Sequence, residues 1–319
     1  MKMHRHAWVV VLVVAAWCGA ARAEESFTRT EEVIYGRKYG MALTMDVFTP
    51  TQNKNGAALV MVISGGWISA QSQIRPIVAA EPLKRGYTVF AVVHGSQPKF
   101  TIPECVDDMH RAVRYIRTHA EDFGIDPDRI GVTGASAGGH LSLMLGCASK
   151  EGDPDARDPV ERASSRVQAV ACFFPPTDFM NFGEPGKKSM GIEPDHQFKP
   201  PFDFRKQDPD TKLFMPVDLP TREAICREMS PIYYVSKDDA PTLILHGDSD
   251  RLVPLQQSEI IIDAFNEAGV PCELIVKTGQ GHGVWPSIFD DLKTVVDWFD
   301  KHLGVSSENA VAQPVTAGN

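Results

Sequence analysis

One stretch constrains this chain more than any other: Ile130-Gly-Val-Thr-Gly134-Ala-Ser136-Ala-Gly138-Gly139-His140. An apolar run of the kind a strand buried on both faces needs leads directly into G-x-S-x-G. A helical pattern carrying Leu141, Met144 and Leu145 follows at once. So abrupt a strand-to-helix reversal forces its central residue into strained backbone, and neighbouring chain passes so close that only minimal side chains fit beside it. The reversal also raises the Ser136 hydroxyl at a helix N-terminus, where the dipole favours developing negative charge. The pentapeptide alone is common, and a small-residue packing turn is the alternative. Between a strand and a helix, it marks Ser136 as a candidate nucleophile.

The rest of the chain repeats the strand–helix rhythm. Leu43, Met45 and Val47 alternate with polar residues, as in a half-buried strand, and Ala57–Ile63, Tyr87–Val93, Arg129–Gly134, Val167–Phe174, Thr242–His246 and Cys272–Val276 read as further strands. Between Pro103 and Ala120, Val106, Met109, Val113 and Ile116 form a helical stripe opened by proline. Pro254–Ala268 and Ser287–Leu303 are the later helices, the last stopping at Gly304. This alternation predicts an α/β fold: a mostly parallel central sheet with helices on both faces. Residues 176–229 break the rhythm with prolines and charge, and read as an insertion that is either a specificity-setting lid or a passive decoration. Residues 304–319 read as a disordered tail.

Length and charge narrow the classes further. The chain has 319 residues, enough for one large α/β domain, expected over 24–303. A formal net charge of −9 leaves nothing to neutralise phosphate, which argues against a nucleic-acid partner. Lys2 and Arg5, the apolar run Ala7–Ala16 and Ala21-Arg22-Ala23 match a cleavable export signal over 1–23, too short to span a bilayer as a helix. The expected mature chain lies in the periplasm or outside the cell, without stable membrane association. Its five cysteines, Cys105, Cys147, Cys172, Cys226 and Cys272, leave at least one unpaired, and no Cys/His spacing suggests a metal site.

A serine hydroxyl needs a base at neutral pH. In this topology an acid and then a histidine should follow the serine, each just past a strand end. His282, within Gly279-Gln-Gly-His-Gly283, follows the strand Cys272–Val276 and is the candidate base. Past Thr242–His246 come Gly247-Asp248-Ser-Asp250. Asp250, further along the turn, is the expected acid, and Asp248 is the alternative, more suited to shaping the turn. For an oxyanion, the candidate donors are the amides of Ala137 and of Gly65 and Gly66, the glycines lying at the end of the strand Ala57–Ile63. Trp67 and His94, both at strand ends on the same side, are candidate substrate-binding residues, although a structural hydrogen bond would equally account for His94. His140 reads as a packing histidine and Asp107-Asp108 as a solvated helix face.

Gly134-Ala-Ser-Ala-Gly-Gly-His-Leu141, Phe123-Gly-Ile-Asp-Pro-Asp-Arg-Ile130, His246-Gly-Asp-Ser-Asp250 with Val253-Pro254, and Gly281-His282 together resemble the α/β-hydrolase superfamily. The likeness is greatest to its secreted esterase–lipase branch, which includes acetyl xylan esterase-like and feruloyl esterase-like proteins. It covers about Glu32 to Leu303, and the family pattern places the acid at the second aspartate, Asp250. One departure stands out: such enzymes carry His-Gly-Gly before the oxyanion residues, where this chain has Ile63 or Ser64. The resemblance implies a secreted serine hydrolase of carboxylic esters, with a small-molecule or carbohydrate ester as substrate and no cofactor. Two other readings are a serine peptidase of prolyl-oligopeptidase type, for whose propeller the chain has no room, and a non-catalytic carbohydrate-binding or adhesion protein.

Overall fold

The computed structural model describes residues 26–96, 99–191, 200, 202, 204–283 and 285–305. The expected export signal, most of the expected tail and part of the insertion therefore lie outside the described residues. Eight strands form one sheet: β1 (Phe27–Lys38), β2 (Met41–Pro50), β3 (Ala58–Ile63), β4 (Thr88–Val93), β5 (Ile130–Ala135), β6 (Ala169–Phe173), β9 (Thr242–Gly247) and β10 (Cys272–Lys277). Their order is β1-β2-β4-β3-β5-β6-β9-β10. The β1–β2 and β2–β4 pairs are antiparallel, and every other pair is parallel. The central strands β3 to β6 are almost wholly buried, which accounts for their unbroken apolar runs.

Two apolar layers cover the two faces. On one, α2 (Ile102–Thr118), the short α3 (Ala120–Phe123), α4 (Ala137–Cys147) and α6 (Gln256–Ala268) contribute residues such as Val106, Met109, Leu141 and Phe265. On the other, α1 (Ala80–Lys84) and α7 (Ile288–His302) contribute Leu83, Val295, Val296 and Phe299. The helix expected from Pro103 starts one residue earlier, because Thr101 and Glu104 close a capping box around its first turn. Strand β1 escaped the sequence reading: Thr28 to Glu32 are exposed and polar on an outer antiparallel strand, so they carry no burial pattern.

The insertion carries elements that its proline-rich pattern did not reveal: a hairpin of β7 (Arg205–Gln207) and β8 (Phe214–Pro216) and the helix α5 (Leu219–Glu228), capped by the Asp218 side chain. Its first part is core rather than cover: Phe179, Met180, Phe182 and Met190 are buried in the larger apolar layer. The Gln257 amide oxygen accepts hydrogen bonds from the Thr177 and Asp178 amides, both at 2.8 Å, which fastens the root of the segment to α6. Among the described residues of the insertion, the large apolar side chains that stand exposed are Leu213, Phe214 and Met215 on the hairpin and Leu219 at the start of α5.

Candidate active site

Parallel strands ending on one side bring three distant segments together. Ser136, between β5 and α4, adopts φ 55° and ψ −120°, a conformation disfavoured for any side-chain-bearing residue. Its amide donates to Phe173 O at 2.9 Å, and its carbonyl accepts from the His140 amide at 2.9 Å, so both neighbouring elements hold the strained turn. The flanking glycines have a steric cause: a Cβ on Gly134 would lie 2.5 Å from Gly138 O, and one on Gly138 would lie 3.0 Å from Val62 O.

His282 Nε2 lies 2.9 Å from Ser136 Oγ, and its Nδ1 lies 2.7 Å from Asp250 Oδ2. The loops carrying the last two residues are locked to one another. The Asp248 carboxylate accepts from the Gly279 amide at 2.7 Å, the Ser249 amide donates to Gln280 O at 3.0 Å, and a Cβ on Gly247 would sit 2.1 Å from Gln280 O. Asp250 takes the position against the imidazole, while Asp248 ties the two loops. Asp250 Oδ1 also accepts from the Leu252 and Val253 amides at 2.8 and 2.9 Å. Burial works against its charge, but hydrogen bonds from His246, His282 and Val253 outweigh burial and hold this carboxyl far below the usual carboxylate range.

Two residues without a role in the sequence reading support this array. His246 is wholly buried; its Nε2 donates to Val253 O at 2.9 Å and lies 3.4 Å from Asp250 Oδ2, while Ser258 Oγ meets its Nδ1 at 2.6 Å. Phe174, at φ 38° just past β6, packs its ring 4.5 Å from the His282 ring. The strand-end position of both residues was the available signal.

The oxyanion side differs from expectation in one donor. Gly65 spends its amide on Ile68 O at 3.0 Å, and the Ile68 amide returns to Gly65 O at 2.9 Å. With φ 56° at Gly66 and 57° at Trp67, residues 65–68 close a type I′ turn. Gly65 is thus committed to the turn. Ala137 opens α4 immediately after Ser136, where first-turn amides have no partner within the helix.

Trp67 and His94 do not line the site as expected. Trp67 is 1% exposed, donates through Nε1 to His140 Nδ1 at 3.3 Å and packs on Phe179, so it anchors the strained turn from behind. His140 in turn donates through Nε2 to Met229 O at 2.7 Å, and burial pushes it down to about 4. His94 is buried, its Nδ1 2.6 Å from Gly95 O, and burial pushes it down to about 4. Asp107 is exposed, but Asp108 is buried and paired with Lys38 at 2.7 Å, so only half of that dipeptide is a solvated face. None of the described cysteines, Cys105, Cys147, Cys172, Cys226 and Cys272, is in a disulfide. Among the described residues no cluster of three His, Cys, Asp or Glu could hold a metal ion, and no helix is long and apolar enough to cross a membrane.

As an arrangement of groups, a hydroxyl at a helix N-terminus, an imidazole and an ionised carboxylate in line can carry out acyl transfer. Comparison with known proteins agrees in fold and family. The chain is 28% identical over 77% of its length, and 54% of the relative's, to a probable carboxylic ester hydrolase, LipM, of Mycobacterium tuberculosis. It spans about half the length of the first curated relatives it matches. A solved structure described as a truncated form of carbohydrate esterase from gut microbiota superposes with a TM-score of 0.64 at 26% identity, covering 88% of this chain and 99% of that one. An acetyl ester-xyloside bifunctional hydrolase from Caldicellulosiruptor lactoaceticus matches with a TM-score of 0.64 at 24% identity, over 86% and 94% of the two chains, and shares the fold. The BD-FAE family model matches residues 45–265, more than half of the sequence, so with its α/β-hydrolase fold the chain belongs to the BD-FAE family.

Proposed function

We propose that this protein is an exported serine hydrolase that cleaves carboxylic esters, with acyl groups on carbohydrate hydroxyls as the substrate class. The observation that carries the reading is the continuous line Ser136 Oγ–His282–Asp250, at 2.9 and 2.7 Å. Ser136 Oγ attacks the ester carbonyl carbon while His282 Nε2 takes the hydroxyl proton, giving a tetrahedral oxyanion. Collapse breaks the carbon–oxygen bond to the alcohol, which leaves with the proton from His282. Water then attacks the acyl-enzyme, giving its proton to His282, and the carboxylic acid departs as Ser136 is regenerated. Asp250 fixes the tautomer with the proton on Nδ1 and stabilises the imidazolium.

The Ala137 and Gly66 amides are the donors proposed for the oxyanion, each worth about 10²–10³ in kcat for such groups. Relatives and fold neighbours described as ester hydrolases and carbohydrate esterases support the reaction class and the substrate class. The N-terminal pattern over 1–23 supports export. The test is a panel of p-nitrophenyl, acetyl-sugar and feruloyl-sugar esters run beside Ser136→Ala, with fluorophosphonate labelling of the native protein. Turnover and labelling that both disappear in the variant are the expected result; labelling that survives it would remove Ser136 from the role.

A further inference from the structure

A mainly apolar chamber of about 400 Å³, within the size range of small-molecule sites, lies between the sheet and α7. Its lining includes Ser64 and Gly65 of the proposed oxyanion loop, Ala135 immediately before Ser136, and Gly283 immediately after His282. Along β3 it runs from Ile63 past Met61 to Leu59, about 13 Å at strand spacing. Leu59 on β3 and Phe299 on α7, which also line it, are buried. An acetyl group, with one methyl to place, would leave most of such a wall uncovered.

The lining carries one further signal. Ser64 Oγ is buried and has no hydrogen-bond partner among the described residues, a costly state for a hydroxyl. Its Cβ lies 3.7 Å from where a Cβ on Gly138 would be, so Ser64 sits against the first turn of α4, next to Ala137. A buried hydroxyl without a partner among the described residues, on a residue of this mainly apolar lining, fits a ligand with one polar end at the reacting centre and a long apolar body. A chamber walled largely by apolar side chains suits the acyl part of an ester, which stays bonded to the nucleophile after the alcohol has left.

We propose that this chamber is the acyl site, and that it selects straight-chain apolar acyl groups of medium length, hexanoyl to decanoyl, over acetyl. The proposal rests on Ser136 as nucleophile, and the experiment separates the two. Two ester series are compared on the full chain, one lengthening the acyl group on a fixed p-nitrophenol and one lengthening the alcohol on a fixed acetyl. Leu292→Trp and Val78→Trp each place a large ring among the residues that line the chamber, with melting curves confirming that each folds.

The expected octanoate-to-acetate ratio in kcat/KM is at least tenfold, and each filling variant reduces that ratio at least tenfold. A ratio of one or less, a length preference confined to the alcohol series, or a ratio untouched by both variants would overturn the proposal. Calorimetric titration of Ser136→Ala with octanoate and acetate supplies a readout without turnover. Octanoate binding that is lost in Leu292→Trp, with no ester cleaved by the native protein, would keep the chamber and sink the esterase reading. Absence of both binding and turnover would sink both.

Discussion

Asp250→Asn exchanges one oxygen for an amide nitrogen at the end of the proposed catalytic line. Asp250 Oδ1 accepts from the Leu252 and Val253 amides, so the retained oxygen of asparagine has a fixed place, and the new NH₂ group must face His282 Nδ1. Two N–H donors cannot share that 2.7 Å contact. The imidazole therefore moves its proton to Nε2, the nitrogen 2.9 Å from Ser136 Oγ, where catalysis needs a lone pair. Loss of the correct tautomer in a serine triad costs about 10⁴ in kcat, or about 5.4 kcal/mol at 1.36 kcal/mol per decade. Because both backbone bonds to Oδ1 survive, the fold should persist with a modestly lower melting temperature. The assay is initial-rate hydrolysis of p-nitrophenyl esters, with circular dichroism on the same samples. Asp248→Asn is the control: an amide oxygen can still accept from the Gly279 amide, so activity should stay within about tenfold of native. A folded Asp250→Asn within tenfold of native, or a large loss confined to Asp248→Asn, would refute the reasoning.

Other outcomes follow from the same geometry. Asp250 is held far below the usual carboxylate range and stays ionised from pH 4 to 8, so the acid limb of kcat/KM should have unit slope; a slope of two would mean that Asp250 titrates with the base. Burial pushes His94, His110 and His140 down to about 4, 3 and 4, so each is neutral when folded but binds a proton when unfolded below about pH 6.5. Their contribution is fully present above that pH and is lost as pH falls toward 4, at about 1.4 kcal/mol per pH unit for each histidine. Urea midpoints should drop steeply between pH 6.5 and 5, and pH-independent midpoints would contradict this. Gly134→Ala places a Cβ 2.5 Å from Gly138 O and should lower kcat at least a hundredfold by displacing Ser136; near-native turnover would show that the turn can yield. Ser64→Ala removes a buried hydroxyl that has no partner among the described residues, so equilibrium unfolding should show unchanged or higher stability, by up to about 1 kcal/mol, and a loss larger than that would reveal a further partner.

The α/β architecture was legible because its causes are local. Continuous apolar runs such as Ala58–Ile63 occur where both faces of a strand are covered, and the spaced apolar residues of α2 and α7 reflect one covered helix face. The same reading missed β1, whose exposed polar residues are held by pairing with β2, and the hairpin and α5 within the proline-rich insertion. It also named Trp67 as a candidate substrate-binding residue and left His94 between that role and a structural hydrogen bond, since strand-end position alone does not say which way a ring points. Packing on His140 and Phe179 turns Trp67 inward, and burial takes His94 out of the pocket.

What the sequence determined by itself was chemical kind and order: a serine in a reversal only small neighbours allow, then an acid and a histidine in loops after successive strands. Tertiary structure decided which groups meet. Asp250 rather than Asp248 faces His282, because backbone contacts between their loops set the distance. Gly65 gives its amide to a turn, and Ser64, whose hydroxyl has no partner among the described residues, is one of the residues lining a mainly apolar chamber between β3 and α7. Residue identity limits what a side chain can do, but partners and empty space arise between segments far apart along the chain, and no local pattern encodes them.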